Sequence, residues 1–169
     1  MRIGLLADTH GYFDKSLTNY LEECDEIWHA GDWGPGVLEE LEKLKPIRGV
    51  YGNIDGRSIR DVFPRDLSFE CEGLRVFMTH IGGYPGRYNK RVKSILLEER
   101  PGLFICGHSH ILKVIYDQQL EILHMNPGAC GWHGFHQTRT IIRFSIRRSK
   151  VSDAEVVELG PRAMKSHSM

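Results

Sequence analysis

Five short apolar runs in the first two thirds of the chain each stop at a turn carrying Asp, Asn or His. Ile3 to Ala7 runs into Asp8-Thr9-His10-Gly11, Glu26 to Ala30 into Gly31-Asp32, and Ile47 to Tyr51 into Gly52-Asn53-Ile54-Asp55-Gly56. Leu74 to Thr79 ends at His80, and Leu103 to Cys106 opens into Gly107-His108-Ser109-His110. Runs of this length and character read as buried strands, and the glycines mark where the chain turns. In open α/β sheets, sites gather outside the carboxyl ends of the strands. A fold that aligns these strands therefore delivers five polar turns to one crevice.

The intervening segments are helical. Phe13, Leu17, Tyr20, Leu21 and Cys24 recur at three- and four-residue spacing, predicting a helix over 13–24. Val37 to Leu44 reads as a short amphipathic helix closed by Pro46, and Val92 to Leu97 as a helix ahead of Pro101. Leu67 to Cys71 and Leu74 to Thr79 form a hairpin around Glu72-Gly73. Beyond the His108 turn the helical period disappears. Lys113 to Tyr116, Glu121 to Met125, Thr138 to Ile146 and Val151 to Leu159 are all strand-like. In the third of these, Ile142, Phe144 and Ile146 alternate with Arg143, Ser145 and Arg147, the pattern of a half-buried strand. Arg139, Arg143, Arg147, Arg148 and Lys150 then read as a solvated sheet face rather than a nucleic-acid patch. Strand–helix alternation followed by a run of strands implies an α/β domain, two sheets face to face with helices outside. Residues 1–160 are expected to form one domain and 161–169 a polar tail.

Lys+Arg and Asp+Glu number 22 each, so the formal charge is zero. That balance, without a basic aromatic groove, weighs against a nuclease on long DNA or RNA and against a membrane-surface binder. Cys24, Cys71, Cys106 and Cys130 are scattered, which fits a reducing compartment better than a disulfide framework. The apolar run at the N-terminus is too short for a signal peptide, and no run reaches transmembrane length; the cytoplasm is the expected location.

In an extended segment, His108 and His110 would point the same way. Alone they read equally as two metal ligands or as two surface histidines. Asp8 and Asp32 alone could be helix caps, Asn53 and Asp55 turn residues, and His80 a satisfied histidine at a strand end. Together, Asp8, His10, Asp32, Asn53, His80, His108 and His110 offer two carboxylates, one amide oxygen and four imidazoles. Seven such groups exceed one tetrahedral ion and suit two divalent ions sharing a carboxylate. Such a pair, with ions roughly 3.5–4 Å apart, is the usual apparatus for phosphate ester hydrolysis.

In that order, Asp8-x-His10, Gly31-Asp32, Gly52-Asn53-x-Asp55, Thr79-His80 and Gly107-His108-Ser109-His110 resemble the calcineurin-like metallophosphoesterase signature. The compact length and Asn126-Pro127-Gly128 resemble its small subfamily of bacterial and archaeal phosphodiesterases, which is similar also to the eukaryotic retromer scaffold subunit. The resemblance, from Met1 to about Leu159, implies a four-layer αββα sandwich of two mixed sheets flanked by helices. It also implies a dinuclear Mn, Fe, Zn or Ni site. By motif position, Asp8, His10 and His110 would hold the first metal, Asp32 would bridge, and Asn53, His80 and His108 would hold the second. A hydroxide between the metals is the implied nucleophile, so Asp32, Asn53 and His80 are assigned to catalysis. Asp55 is expected to hold its turn or a ligand histidine, not a metal. Relatives are often dimers or tetramers, and the retromer resemblance leaves a non-enzymatic scaffold as the alternative.

Two departures from the family pattern bear on the substrate. Many larger relatives have histidine straight after the Asn, where this chain has Ile54, which cannot transfer a proton. A small phosphodiester with a good leaving group is therefore expected, in preference to a monoester. The segment from His80 to Arg87 replaces the shorter His-Gly-His of many relatives. Within it Tyr84 and Arg87, with Tyr88 next in line, are candidate contacts to a phosphate or base, or simply loop residues. His29 reads as a packed strand histidine. His133 and His136 either approach the site or lie on the surface.

Overall fold

A computed structural model of the chain describes residues 1–162. The chain begins with β1 (Arg2–Leu6), α1 (Leu17–Leu21), β2 (Glu26–His29), α2 (Val37–Glu42) and β3 (Ile47–Gly49). The three strands are parallel neighbours because each helical return brings the chain back to the same sheet edge. After α3 (Arg57–Arg60) come β4 (Asp66–Cys71) and β5 (Leu74–Thr79), the expected hairpin, then α4 (Lys90–Glu99) and β6 (Leu103–Ile105). The chain closes with β7 (Leu112–Asp117), β8 (Ile122–Pro127), β9 (Thr138–Arg147) and β10 (Lys150–Pro161). Two five-stranded sheets result, ordered β10-β9-β1-β2-β3 and β4-β5-β6-β8-β7. Both are mixed: β9 runs antiparallel to β1, and β4 and β7 run antiparallel to a parallel trio of β5, β6 and β8.

The alternation of side chains along each strand divides the apolar residues among three cores. Ile3, Leu5, Trp28, Ile142 and Phe144 of the first sheet meet Val76, Met78, Leu103, Ile105 and Met125 of the second. On the outer face of the first sheet, Leu6, Ile27 and Ile141 pack against Leu17 and Leu21 of α1, Val37 and Leu41 of α2, and Ile59 of α3. On the outer face of the second, Phe77 and Phe104 pack against Val92 and Leu96 of α4. The order is helices, sheet, sheet, helix: the expected αββα sandwich.

Several details differ from the sequence-based expectation. The helix expected over 13–24 is confined to Leu17–Leu21. Ahead of it, Asp14 accepts hydrogen bonds from the backbone N–H and the hydroxyl of Ser16, an arrangement that competes with helix. α3 was not legible from apolar spacing. The expected solvated basic face holds only for Arg147, Arg148 and Lys150. Arg139 is buried, donating to Asp14 at 2.7 Å and to the Leu159 carbonyl at 2.9 Å. Arg143 is half-buried, donating to the Tyr20 carbonyl and pairing with Glu155 at 2.7 Å. β9 lies inside its sheet with both faces covered, so the alternation seen in its sequence does not mark a wet face. Gly160 and Pro161, the latter expected in the tail, extend β10 and pair with Arg139 and Thr138. The rest of the expected tail, from 163, lies outside the described residues. All four cysteines are buried and unpaired. Among the described residues no helix is long and apolar enough to cross a membrane.

Phe144 is fully buried between the sheets, its ring edge-on to Trp28 at 5.7 Å, and Trp28 is edge-on to Phe69 at 4.9 Å. Phe144→Ala is expected to cost about 3–5 kcal/mol through lost transfer energy and the cavity left behind. Urea unfolding should show this as a lower midpoint at unchanged slope.

Candidate metal centre

The turns after β1, β2, β3, β5 and β6 converge at one end of the sandwich. Asp8, His10, Asp32, His108 and His110 all adopt left-handed backbone with φ between 46° and 68°. Asp and His tolerate this region better than most residues, and such conformations persist where surrounding structure imposes them. The bonds that impose them are visible here. Asp8 and His10 donate backbone N–H bonds to the carbonyls of Gly31 and Asp32 at 3.0 and 3.1 Å, locking the first two turns together. The Gly107 N–H donates to the His80 carbonyl at 3.0 Å, tying the turns after β5 and β6 together. His108 and His110 are therefore not on extended backbone as expected; two left-handed residues in one turn aim them at different partners.

Those partners form two groups. Ligand atoms of Asp8, His10 and His110 lie within 4.8 Å of one another, and so do those of Asp32, His80 and His108. Asp8 Oδ1 is 3.3 Å from His110 Nε2, 3.8 Å from His80 Nε2 and 4.0 Å from His10 Nε2. Asp32 Oδ2 stands between the groups, 3.5 Å from His10 Nε2 and 3.2 Å from His80 Nε2. Asn53 Oδ1 lies 3.0 Å from His108 Nδ1. All seven residues singled out in the sequence are thus brought together.

Each of three groups has one polar atom committed to the scaffold and one left over. Asp8 Oδ2 accepts from the His108 N–H at 3.1 Å, and Asp32 Oδ1 from the Ile54 N–H at 3.0 Å. His80 Nδ1 is held by the Ala30 carbonyl at 2.7 Å, which leaves Nε2 to face the carboxylates. Asp8 Oδ1, His10 Nε2 and His80 Nε2 are buried with no hydrogen-bond partner. Buried polar atoms are rarely left unpaired. Three from two strand ends, close to one another and of oxygen and imidazole type, fit divalent cations. Glycine makes the approach possible at Gly31 and Gly52, where a Cβ would collide with the rings and carboxylates of His80 and Asp32.

The imidazoles divide electrostatically. Burial opposes the charge on His80, but the charge of Asp32, whose Oδ2 lies 3.2 Å from Nε2, and that of Asp8 outweigh it and raise its pKa. Burial likewise opposes charge on His110, and Asp8 raises it. Burial dominates for His10, and burial with neighbouring His80 for His108, so both are lowered. Asp32 is itself held below the usual carboxylate range: burial pushes it up, and His80 with the Ile54 N–H more than reverses this.

Supporting residues explain the rigidity of the turns. Asp55 is no part of either group. It accepts from the N–H groups of Trp33, Gly34 and Gly52 at 2.8–3.1 Å, stitching the second turn to the third. His29 is fully buried and stacked on Trp33 at 3.7 Å, as a packed strand histidine. Its Nδ1 accepts from the Gly31 N–H, so Nε2 donates to Thr9, whose hydroxyl donates to the Trp33 carbonyl. Burial drives its pKa well below the ordinary value, and it stays neutral. Asn126 holds the last turn through the Gly107 carbonyl and the Ser109 hydroxyl.

A cavity of about 450 Å³ opens over the two groups, lined by His10, Asp32, Asn53, His108 and His110 together with Ile54 and Ile111. His133, Gly134, Phe135 and His136 complete it. His133 lies tilted against His10 at 4.7 Å and His136 edge-on to His110 at 5.3 Å, so both approach the site. No spacing in the sequence announces this; the β8–β9 loop gets there because the Cys130 and Gly131 N–H groups bond the carbonyls of Ala7 and Asp8. Arg87 and Tyr84 are not among the lining residues. Arg87 is exposed, and Tyr84 lies under the Lys113 ammonium in an adjoining hollow that shares Ser109 and Ile111 with the cavity. Tyr88 turns away to donate to Asp117 at 2.8 Å.

Two facing sheets whose strand ends gather carboxylates and imidazoles into paired groups define a metal-dependent phosphoesterase architecture. The calcineurin-like phosphoesterase superfamily domain model matches residues 1–149, and the chain belongs to that family. It is 32% identical over 137 residues to a "Probable metallophosphoesterase" of Methanothermobacter thermautotrophicus, covering 76% of this chain and 77% of that protein. Among solved structures it is similar to an archaeal phosphodiesterase with a TM-score of 0.70 at 23% identity, over 93% of this chain and all of the other. It is also similar to zinc-bound Vps29 of Entamoeba histolytica, with a TM-score of 0.71 at 14% identity over 94% and 99% of the two chains.

In chelator-treated protein, proton NMR should resolve the two classes of imidazole. His80 and His110 are expected to titrate above the ordinary value of 6.5, and His10 and His108 below it. The opposite order would contradict the carboxylate positions described here.

Proposed function

We propose that this chain is a metal-dependent phosphodiesterase that holds two divalent ions, Mn, Fe, Zn or Ni, and hydrolyses a small phosphodiester. The observation that carries the reading is the set of three buried atoms without a hydrogen-bond partner, Asp8 Oδ1, His10 Nε2 and His80 Nε2, the carboxylate oxygen lying 4.0 and 3.8 Å from the two imidazole nitrogens. Asp8, His10 and His110 would hold one ion, and Asn53, His80 and His108 the other. Asp32 Oδ2, within 3.5 Å of an imidazole from each group, would be shared between them. When bound, such ions neutralise the phosphate oxygens and supply a hydroxide near neutral pH for in-line attack.

The chain's own residues do the rest. Asp32, kept ionised by His80, spans the centre; Asn53 and the Ala30-anchored ring of His80 set the orientation on one side. Ile54 lines the cavity where many relatives have an acid, so no proton comes from that position to a departing oxygen. A leaving group that is stable as an anion is favoured, and this supports a diester with an acidic leaving group over a monoester.

The purified protein should bind about two transition-metal ions per chain. Asp32→Ala should lose metal, seen by elemental analysis, and its hydrolysis of an activated aryl phosphodiester should drop to the rate without metal. Activity that survives chelation or this substitution would overturn the proposal. Ile54→His keeps the backbone bond to Asp32 and places an imidazole in the cavity. Its rate on phosphomonoesters is expected to rise on the order of 10²-fold, read by released phosphate.

A second reading, a scaffold like the retromer subunit, has one observation in its favour. β7 is an edge strand on which Leu112, Val114, Ile115 and Tyr116 are all exposed, an apolar patch of the kind that meets another chain. The expected dimer or tetramer would also have a place to form there. Stable association through β7 with no hydrolysis under any of the four metals would favour this reading.

A further inference from the structure

Large apolar side chains are exposed around a centre built from carboxylates and imidazoles. Phe135 is fully exposed, Ile111 is 61% exposed and Ile54 is 47% exposed, and all three line the cavity. A phosphate group needs none of them. Phe135 comes from the β8–β9 loop, Ile111 follows His110, and Ile54 follows Asn53, so the apolar rim is assembled from three separate strand ends.

The loop that carries Phe135 is anchored. Trp132 packs edge-on against Tyr12 at 5.0 Å and lies under the Arg139 guanidinium. His136 Nε2 is 2.9 Å from the Gly131 carbonyl. Gly134, with φ of 125°, lies so close to His110 that any Cβ there would strike the ring. The loop is thus fastened on both sides of Phe135 and pressed onto the first ligand group, with the phenyl ring presented to the cavity mouth.

We propose that Phe135 is a stacking platform for a planar aromatic group on the non-leaving side of the substrate, with Ile111 and Ile54 as the apolar walls. The shared chemistry is a flat π-system on the ester group that stays on the reacting phosphorus, met equally by an aryl ester or a nucleoside ester. Stacking onto an exposed phenyl ring suits either, because every base or aryl ring has a π-face. The proposal rests on the phosphodiesterase reading above and adds to it the class of ester group and the residue that selects it.

The test holds the leaving group constant. Metal-replete protein is given 4-nitrophenyl esters of phenyl phosphate, thymidine 5′-phosphate and methyl phosphate. The aryl and nucleoside esters should each have a KM about tenfold below that of the methyl ester, the size of one stacking contact. Phe135→Ala should raise those two KM values about tenfold and abolish the discrimination, whereas Phe135→Trp should retain it. A lower KM for the nucleoside ester than for the phenyl ester identifies a nucleotide as the source of the ring, and the reverse order an aryl ester. Equal KM values for all three esters, or discrimination unchanged in Phe135→Ala, would overturn the proposal while leaving the phosphodiesterase reading intact. If none of the esters is hydrolysed, the phosphodiesterase reading fails and binding decides the rest. Calorimetry of zinc-loaded protein should then show phenylphosphonate binding about tenfold tighter than methylphosphonate, a preference lost in Phe135→Ala; equal binding would overturn the platform itself.

Discussion

Two aspartates, Asp8 and Asp32, are buried almost completely at neighbouring strand ends, with their carboxylates facing the same imidazoles. Burying a carboxylate is costly unless hydrogen bonds and opposite charge compensate it. Much of the local architecture at this end of the sandwich serves that need. Backbone N–H groups from His108 and Ile54 satisfy one oxygen of each, reaching across from other turns. The remaining oxygens have only imidazole for company, which is the condition under which a cation completes the site.

The rest of the scaffold keeps those turns in place. The stack of His29, Trp33 and Phe63, at 3.7 and 4.6 Å, fills the space behind the β2 turn. Asp55 binds that turn to the next, and Asn126 fastens the His108 turn from the neighbouring strand β8. Because the ligand-bearing turns are divided between the two sheets, the inter-sheet core is what sets the distance between the two groups. Packing of Trp28, Phe144 and their neighbours is in this sense part of the site.

Much of this was legible in advance. Strands with continuous apolar runs, the Glu72-Gly73 hairpin and the αββα layering follow from local pattern. The misreadings have a common origin. The helix expected over 13–24 was shortened by Asp14, whose partner Arg139 lies on β9, 125 residues away. Arg139 and Arg143 read as wet because nothing local shows that β10 and the α1 region cover them. His108 and His110 were read as extended, whereas the long-range bonds from His108 to Asp8 and from Gly107 to His80 impose left-handed backbone.

By itself, the sequence determined which groups could meet: carboxylates, an amide and imidazoles at the ends of strands that must lie side by side. Residue type and apolar period are local properties, and that much needs no coordinates. The family resemblance implied how they are shared, and tertiary structure is what physically decides it. It put His108 with Asp32 and His80, and His110 with Asp8 and His10, and set Asp32 between the groups. It also swung the β8–β9 loop over the cavity, with His133 and Phe135 at its rim. Those outcomes depend on contacts between residues far apart in the chain, whose geometry exists only once both sheets have packed.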